Sequence, residues 1–162
     1  MRASRMETKR NITISICRII LTALIFVLAT PTQAQIRKLN PAIIADMLIK
    51  EKASGIISNE PFVNYLDSIG FKPRGGNRLV LETFGRPMKV EFLTDEYDKS
   101  IDRRIRIYID DHHTCWWMTL KLKEFGLRES GHDGEGIFLK GKGLHAMCLP
   151  YCVWISYNLK MK

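Results

Sequence analysis

The sequence has no apolar run long enough to cross a membrane as a helix. Its main apolar run, residues 19–29, has 11 residues, whereas a helix that crosses a bilayer needs about 20. Arg18 separates this run from a weaker apolar stretch at residues 12–17. We therefore expect that the chain has no stable membrane span after its N-terminal residues 1–34 have been cleaved off.

The sequence also lacks the common catalytic and nucleotide-binding motifs. After residue 34 it has no glycine-rich phosphate loop, no dinucleotide fingerprint, no Ser-His-Asp motif and no carboxylate pair, and it has no low-complexity segment. These absences argue against the common enzyme classes. We expect no cofactor, and we favour a binding function over catalysis.

The N-terminus has the layout of a cleaved signal peptide. Small residues at Thr32 and Ala34 match the cleavage preference, which makes Gln35 the first mature residue. The sequence thus predicts a signal peptide at 1–34, a single domain at 35–162, and a periplasmic or secreted location. The apolar run is preceded by five basic residues: Arg2, Arg5, Lys9, Arg10 and Arg18.

The positive charge of the chain belongs in large part to this leader. The whole sequence has 25 basic and 17 acidic residues, a net charge of +8. Removal of residues 1–34 takes away five basic residues and one acidic residue, which leaves 20 against 16, or +4. The remaining basicity is a weak argument for nucleic acid, and we expect none as a partner.

Hydrophobic periodicity predicts an α+β fold. Helices are expected at residues 41–54, 59–70 and 114–125, the first with Asn40 as its N-cap and the last with Thr114. Strands are expected at residues 79–84, 88–92, 104–109 and 136–140, and at 144–159 with an interruption at Pro150. We therefore expect an antiparallel sheet of about five strands with two to three helices packed on one face.

Two short segments indicate an internal repeat. Residues 66–72 and 122–128 share one pattern at a spacing of 56, and a strand pair with a glycine-containing turn follows each. This similarity predicts a tandem helix-plus-hairpin repeat, with half-repeats at residues 59–110 and 111–162.

Reactive side chains concentrate at residues 110–117, where a predicted strand meets a predicted helix. Neighbouring helical positions point about 100° apart, so two adjacent tryptophans cannot both be buried against one sheet. An exposed tryptophan beside histidines is suited to a binding surface for a protein or a cell-envelope component. The predicted binding residues are His112, His113, Trp116 and Trp117.

Three cysteines follow the leader, and export would place them in an oxidising compartment. The disulfide candidates are Cys115, Cys148 and Cys152. We favour a bond from Cys115 to Cys148 or Cys152, because a bond from Cys148 to Cys152 closes only a short ring.

The same region supports two alternative functions. A zinc or copper site could draw on His112, His113, Cys115, His145, Cys148 and Cys152, although their spacing matches no familiar zinc pattern. A cysteine-dependent hydrolase or transferase could use Cys115 as nucleophile, His145 as base and Asn158 to orient it. That order resembles papain-like and transglutaminase-like enzymes in arrangement alone, because the glycine-rich and glutamine-containing surroundings of those families are missing.

Basic residues at Arg103, Arg104 and Arg106, and at Arg74 and Arg78, are expected on a solvated sheet face. If the two groups adjoin in the fold, they could contact an acidic glycan or an envelope lipid.

Overall fold

The structure is a computed structural model, and it describes residues 38–82, 87–97, 100–109 and 111–160. The chain divides into two units, Met1–Gln35 and Ile36–Lys162. The described residues belong to the second unit, and the predicted signal peptide at 1–34 lies outside them.

Three helices form where the sequence predicts them. They are α1 (Pro41–Ser54), α2 (Glu60–Ser68) and α3 (His112–Phe125). The Asn40 side chain caps α1 by accepting a hydrogen bond of 3.0 Å from the backbone N–H of Ala42. Gly55 ends this helix in the left-handed region, with φ of 70°. Among the described residues, no helix combines the length and apolarity that a membrane crossing needs.

In the described part of the chain the sheet has eight strands, whereas the sequence predicted about five. Two of the extra strands carry little apolar signal: β1 has two residues, and every residue of β5 is exposed. Residues 94–97, expected in a loop, extend the third strand instead. The strands are β1 (Lys72–Pro73), β2 (Arg78–Leu81), β3 (Met88–Tyr97), β4 (Ser100–Tyr108), β5 (Arg128–His132), β6 (Ile137–Gly141), β7 (Leu144–Leu149) and β8 (Cys152–Lys160).

All neighbouring strands are antiparallel, in the order β1-β2-β3-β4-β8-β7-β6-β5. Two four-stranded meanders thus join at the sheet centre through β4 and β8. One meander follows α2 and the other follows α3. Each of the two meanders, together with the helix before it, therefore has one helix and four strands. The predicted half-repeat had one helix and a two-stranded hairpin.

The helices share one hydrophobic core with one face of the sheet. Ile105 and Ile107 of β4 face Ile155 and Val153 of β8, and all four are completely buried. Leu48, Leu66, Met118 and Leu122 from the helices join the same cluster. We call this side of the sheet the covered face. The alternate residues point to the opposite side, which we call the open face.

Candidate functional site

The first turn of α3 carries the side chains that the sequence singled out. Asp111 is its N-cap, and its carboxylate accepts hydrogen bonds from the backbone N–H of His113 at 3.1 Å and of Thr114 at 3.0 Å. The Thr114 hydroxyl also donates to it, and this bond is the main reason that the pKa of Asp111 is lowered. The prediction that Thr114 caps the helix is therefore wrong, because Thr114 supports the residue that does.

The two histidines lie within the helix, two residues ahead of the predicted start. Both are exposed, and their rings meet edge to face with centroids 6.4 Å apart. The two tryptophans separate as the helical spacing requires. Trp116 is 58% exposed, whereas Trp117 packs against the core.

A groove of about 230 Å³ lies beside the first half of α3. We call it the α3 groove. Its other wall comes from the β5–β6 connection and from the turn between β7 and β8. It is lined by His112, Cys115, Trp116, Thr119, His132, Gly134, Glu135, Gly136, Ile137, Cys148, Leu149 and Pro150.

Gly136 sets the wall opposite the helix. A Cβ at this position would lie 2.8 Å from Cδ2 of Leu149 and 3.0 Å from the backbone oxygen of Cys148. The backbone therefore approaches β7 more closely than any side chain would allow. At Gly134 a Cβ would meet nothing within 4 Å.

The three thiols are buried and protonated near neutral pH. Burial raises the pKa of Cys115 to about 12 and that of Cys152 to about 11, and it also raises the pKa of Cys148. A protonated thiol is a poor nucleophile. All three are free cysteines in the structure, so it contains no disulfide among them.

The catalytic arrangement suggested by the sequence does not assemble. Cys115 lies in the α3 groove, whereas His145 and Asn158 alternate with covered-face residues and so belong to the open face. Neither residue lines the groove. The Cys115 thiol has a raised pKa, and the histidine assigned to it as base does not share its groove, so the predicted triad lacks its means of activation.

The proposed metal ligands are also divided. His112, Cys115 and Cys148 line the groove, but His145 and Cys152 belong to the open face. Cys152 accepts a hydrogen bond of 2.8 Å there from the indole nitrogen of Trp154. Within the described part of the chain, no group of three or more His, Cys, Asp or Glu residues is arranged to hold a metal ion.

Four residues that the sequence singled out for different candidate sites line one groove in the structure: His112, Cys115, Trp116 and Cys148. Sequence reasoning missed the wall formed by residues 132–137. The pair Gly134 and Gly136 gave a local signal of a close backbone approach there, but not of its partner.

The second feature that the sequence analysis missed is a buried polar cluster. Arg103 was expected on a solvated face, but it is 1% exposed and points to the covered face. Its Nε donates to Glu51 at 3.0 Å, and its two other nitrogens donate to Thr94 at 3.1 Å and to Asn59 at 2.6 Å. We call these residues, with Tyr157, the Arg103 cluster.

The Arg103 cluster connects α1 to the sheet centre. The hydroxyl of Tyr157 donates to the same Glu51 oxygen at 2.9 Å, and burial is the first cause that raises its pKa. The other Glu51 oxygen accepts from the backbone N–H of Ser58 at 3.0 Å. Because both charges are paired and hydrogen-bonded, the cluster meets the conditions under which a buried ion pair is tolerated.

Comparison of the chain with protein-family models, with curated proteins and with solved structures found no match. The site must therefore be interpreted from its own geometry.

Proposed function

We propose that this chain is an exported, non-catalytic binding module that engages a protein or a cell-envelope component through the α3 groove. One observation carries the proposal: Trp116 is 58% exposed beside the groove while its neighbour Trp117 packs inside. Exposed tryptophans at concave sites are frequent anchors of interfaces. The thiols beneath it have raised pKa values, which favours binding over thiol chemistry.

Export rests on the layout of residues 1–34, and N-terminal sequencing of the exported protein tests it. We expect Gln35 as the first residue. An intact N-terminus on exported or membrane-held material would overturn this part of the proposal.

The binding site is tested by photocrosslinking in cells that produce the full chain. The photoreactive residue benzoylphenylalanine would replace Trp116 in one variant and Ile56 in a control. Ile56 suits this purpose because it is 70% exposed and does not line the groove. We expect a discrete adduct from position 116 and none from position 56. Identical adduct patterns, or no adduct at either position, would contradict the groove as the contact surface.

We also propose that Cys115 and Cys148 pair after export. Both line the α3 groove, and this shared position is our reason to favour the pair, although the backbone of Cys152 also lies near the Cys115 thiol. The bond would join α3 to β7 and stabilise the domain by about 3–4 kcal/mol on the loop-entropy model. Mass spectrometry of peptides from unreduced protein should contain the linked pair. Full labelling of both thiols in exported, unfolded protein would contradict it.

The tandem repeat remains a proposal, supported by the ends of two helices. Phe71 N–H donates to the Leu66 carbonyl at 3.0 Å, and Leu127 N–H donates to the Leu122 carbonyl at 3.1 Å. The equivalent residues are 56 positions apart in both pairs. Since many helices end in this way, the four strands after each helix are the stronger support. Homologues in which one half is altered independently would test whether the halves were once separate units.

A further inference from the structure

The open face carries a straight row of side chains from β2 to β6. Strand pairing places Arg78 opposite Glu91, Glu91 opposite Arg106, Arg106 opposite Trp154, Trp154 opposite Met147, and Met147 opposite Phe138. We call these six residues the Arg106 row. None of them lines the α3 groove.

Trp154 lies between two guanidinium groups that differ in their partners. The Arg106 guanidinium carbon is 4.4 Å from the centre of the indole ring, and that of Arg104 is 5.5 Å away. Arg104 forms ion pairs with Asp102 and, at 3.7 Å, with Asp95. Arg106 forms no ion pair with any described residue, and its buried Nε has no hydrogen-bond partner there. A buried donor without an acceptor is unfavourable, so the fold itself leaves this guanidinium incompletely satisfied.

The nearest carboxylate in the row is already engaged. Glu91 faces Arg106 across the strands but pairs with Arg78 at 2.6 Å. Asp95 and Asp102, the other described acidic residues of these strands on this face, are paired with Arg104. The open-face basic residues with no acidic partner in the described part of the chain are Lys89, Arg106, Arg128 and Lys140. This face is therefore complementary to an anion.

We propose that the Arg106 row binds an acidic segment of a partner protein, with a carboxylate on Arg106 and apolar side chains over Met147 and Phe138. A guanidinium placed over an aromatic ring still presents its donors in the planar fork that a carboxylate matches. Arg106 and Phe138 are three strand spacings apart, or about 14 Å. An extended peptide covers this distance in roughly four residues.

A protein segment fits this face better than a lipid surface. The described large hydrophobic side chains that are exposed are Ile43, Ile56, Trp116 and Tyr151, and none of them belongs to the row. Trp154, Met147 and Phe138 are partly buried, so they offer a bilayer less apolar surface than projecting side chains would. The directional guanidinium and shallow apolar strip instead suit one carboxylate followed by apolar side chains.

Selection from a random heptapeptide library on the full chain tests the proposal. We expect enriched peptides to carry Asp or Glu two to four positions from an aromatic or aliphatic residue. The R106Q variant should weaken binding of a selected peptide roughly tenfold or more, because it removes a charge-assisted hydrogen bond. The matched control is R128Q, which removes an unpaired basic residue at the edge of the same face; it should leave binding almost unchanged.

Four outcomes would overturn the proposal. Enriched peptides without a carboxylate would remove the role of Arg106, and a failure to enrich any peptide would remove the peptide site. Equal losses in R106Q and R128Q would show non-specific charge attraction. Binding to phosphatidylglycerol vesicles in place of peptides would assign the face to lipid. Because the Arg106 row and the α3 groove share no residue, the crosslinking result at position 116 stands or fails independently.

Discussion

The Arg103 cluster and the α3 groove differ in how completely the fold determines them. In the Arg103 cluster, two opposite charges are buried, and all three guanidinium nitrogens of Arg103 donate hydrogen bonds. In the α3 groove, His112, His132 and Glu135 are exposed, and no charged residue of the lining is buried. Burial makes partners obligatory for a charge, whereas exposure leaves a side chain available to a ligand. The first region therefore contributes to stability, and the second is the one that we propose for binding.

The largest expected effect comes from breaking the Arg103 cluster. Arg103→Met keeps a long apolar side chain at a position next to the rings of Phe62 and Phe92, but it removes the guanidinium over them and leaves Glu51 buried without its counter-charge. We expect a loss of about 3–5 kcal/mol in the free energy of unfolding, measured by chemical denaturation. Arg128→Met, at an exposed position on the open face, is the matched control and should cost less than about 0.5 kcal/mol.

A double-mutant cycle separates the ion pair from simple loss of packing. If Glu51→Gln is added to Arg103→Met, the buried charge disappears. The double variant should therefore lose less stability than the sum of the two single variants, by about 1 kcal/mol or more. If the losses of stability in the two single variants add up to that of the double variant, Arg103 acts through packing alone. The Arg103 cluster would then not differ from the α3 groove in the way proposed.

A smaller effect is expected where the fold shapes the groove. Gly136→Ala places a methyl group 2.8 Å from Leu149 and 3.0 Å from a backbone oxygen. The wall must shift, at a cost of about 1–3 kcal/mol in thermal or chemical unfolding. Gly134→Ala is the control, because open space surrounds that position. Equal stability of the two variants would show that the groove wall at residue 136 can shift to accept a methyl group at little cost.

Much of the fold could be predicted from the sequence because its signals are local. Asn40 and Gly55 bound α1 as expected, and the isoleucines of β4 alternate as expected. The same alternation could have predicted that Arg103 is buried, because it lies on the same face of β4 as Ile105 and Ile107. Glu51 also follows Ile44 and Leu48 on the buried side of α1. A charge on a buried helical stripe and another on a buried strand position together predict a pair.

The groove could not be predicted, because it depends on strand order. Its second wall contains His132 and Gly136, which reach α3 only because β5 and β6 follow β7 outward from the sheet centre. The strand β5 has no buried residue, so it gives no periodic signal. His145 belongs to the open face for a local reason, because it alternates with the buried Leu144 and Ala146 of β7, and it therefore does not line the groove with Cys115.

The cap of α3 should contribute about 1 kcal/mol, a modest effect that depends on pH. Asp111→Ala removes the acceptor for two backbone N–H groups. Hydrogen bonding lowers the pKa of folded Asp111 below its ordinary 3.8, so its stabilisation is complete at neutral pH and is lost as the pH falls through the lowered value. Asn40→Ala removes an uncharged cap from α1, so its cost should not change over the same pH range. If both variants show one pH dependence, the titrating group is not Asp111.

Substitution of Trp116 should have the smallest effect on the free energy of unfolding. The same substitution should have the largest effect on binding of the partner. Because the ring is 58% exposed, Trp116→Ser should change the free energy of unfolding by less than about 0.5 kcal/mol. Trp117→Ser provides the contrast, since Trp117 packs against the core and should cost about 2 kcal/mol or more. A Trp116 variant that binds its partner normally, or that unfolds as easily as the Trp117 variant, would place the ring among the structural side chains. The α3 groove would then have a structural role, as the Arg103 cluster does, although its side chains are exposed.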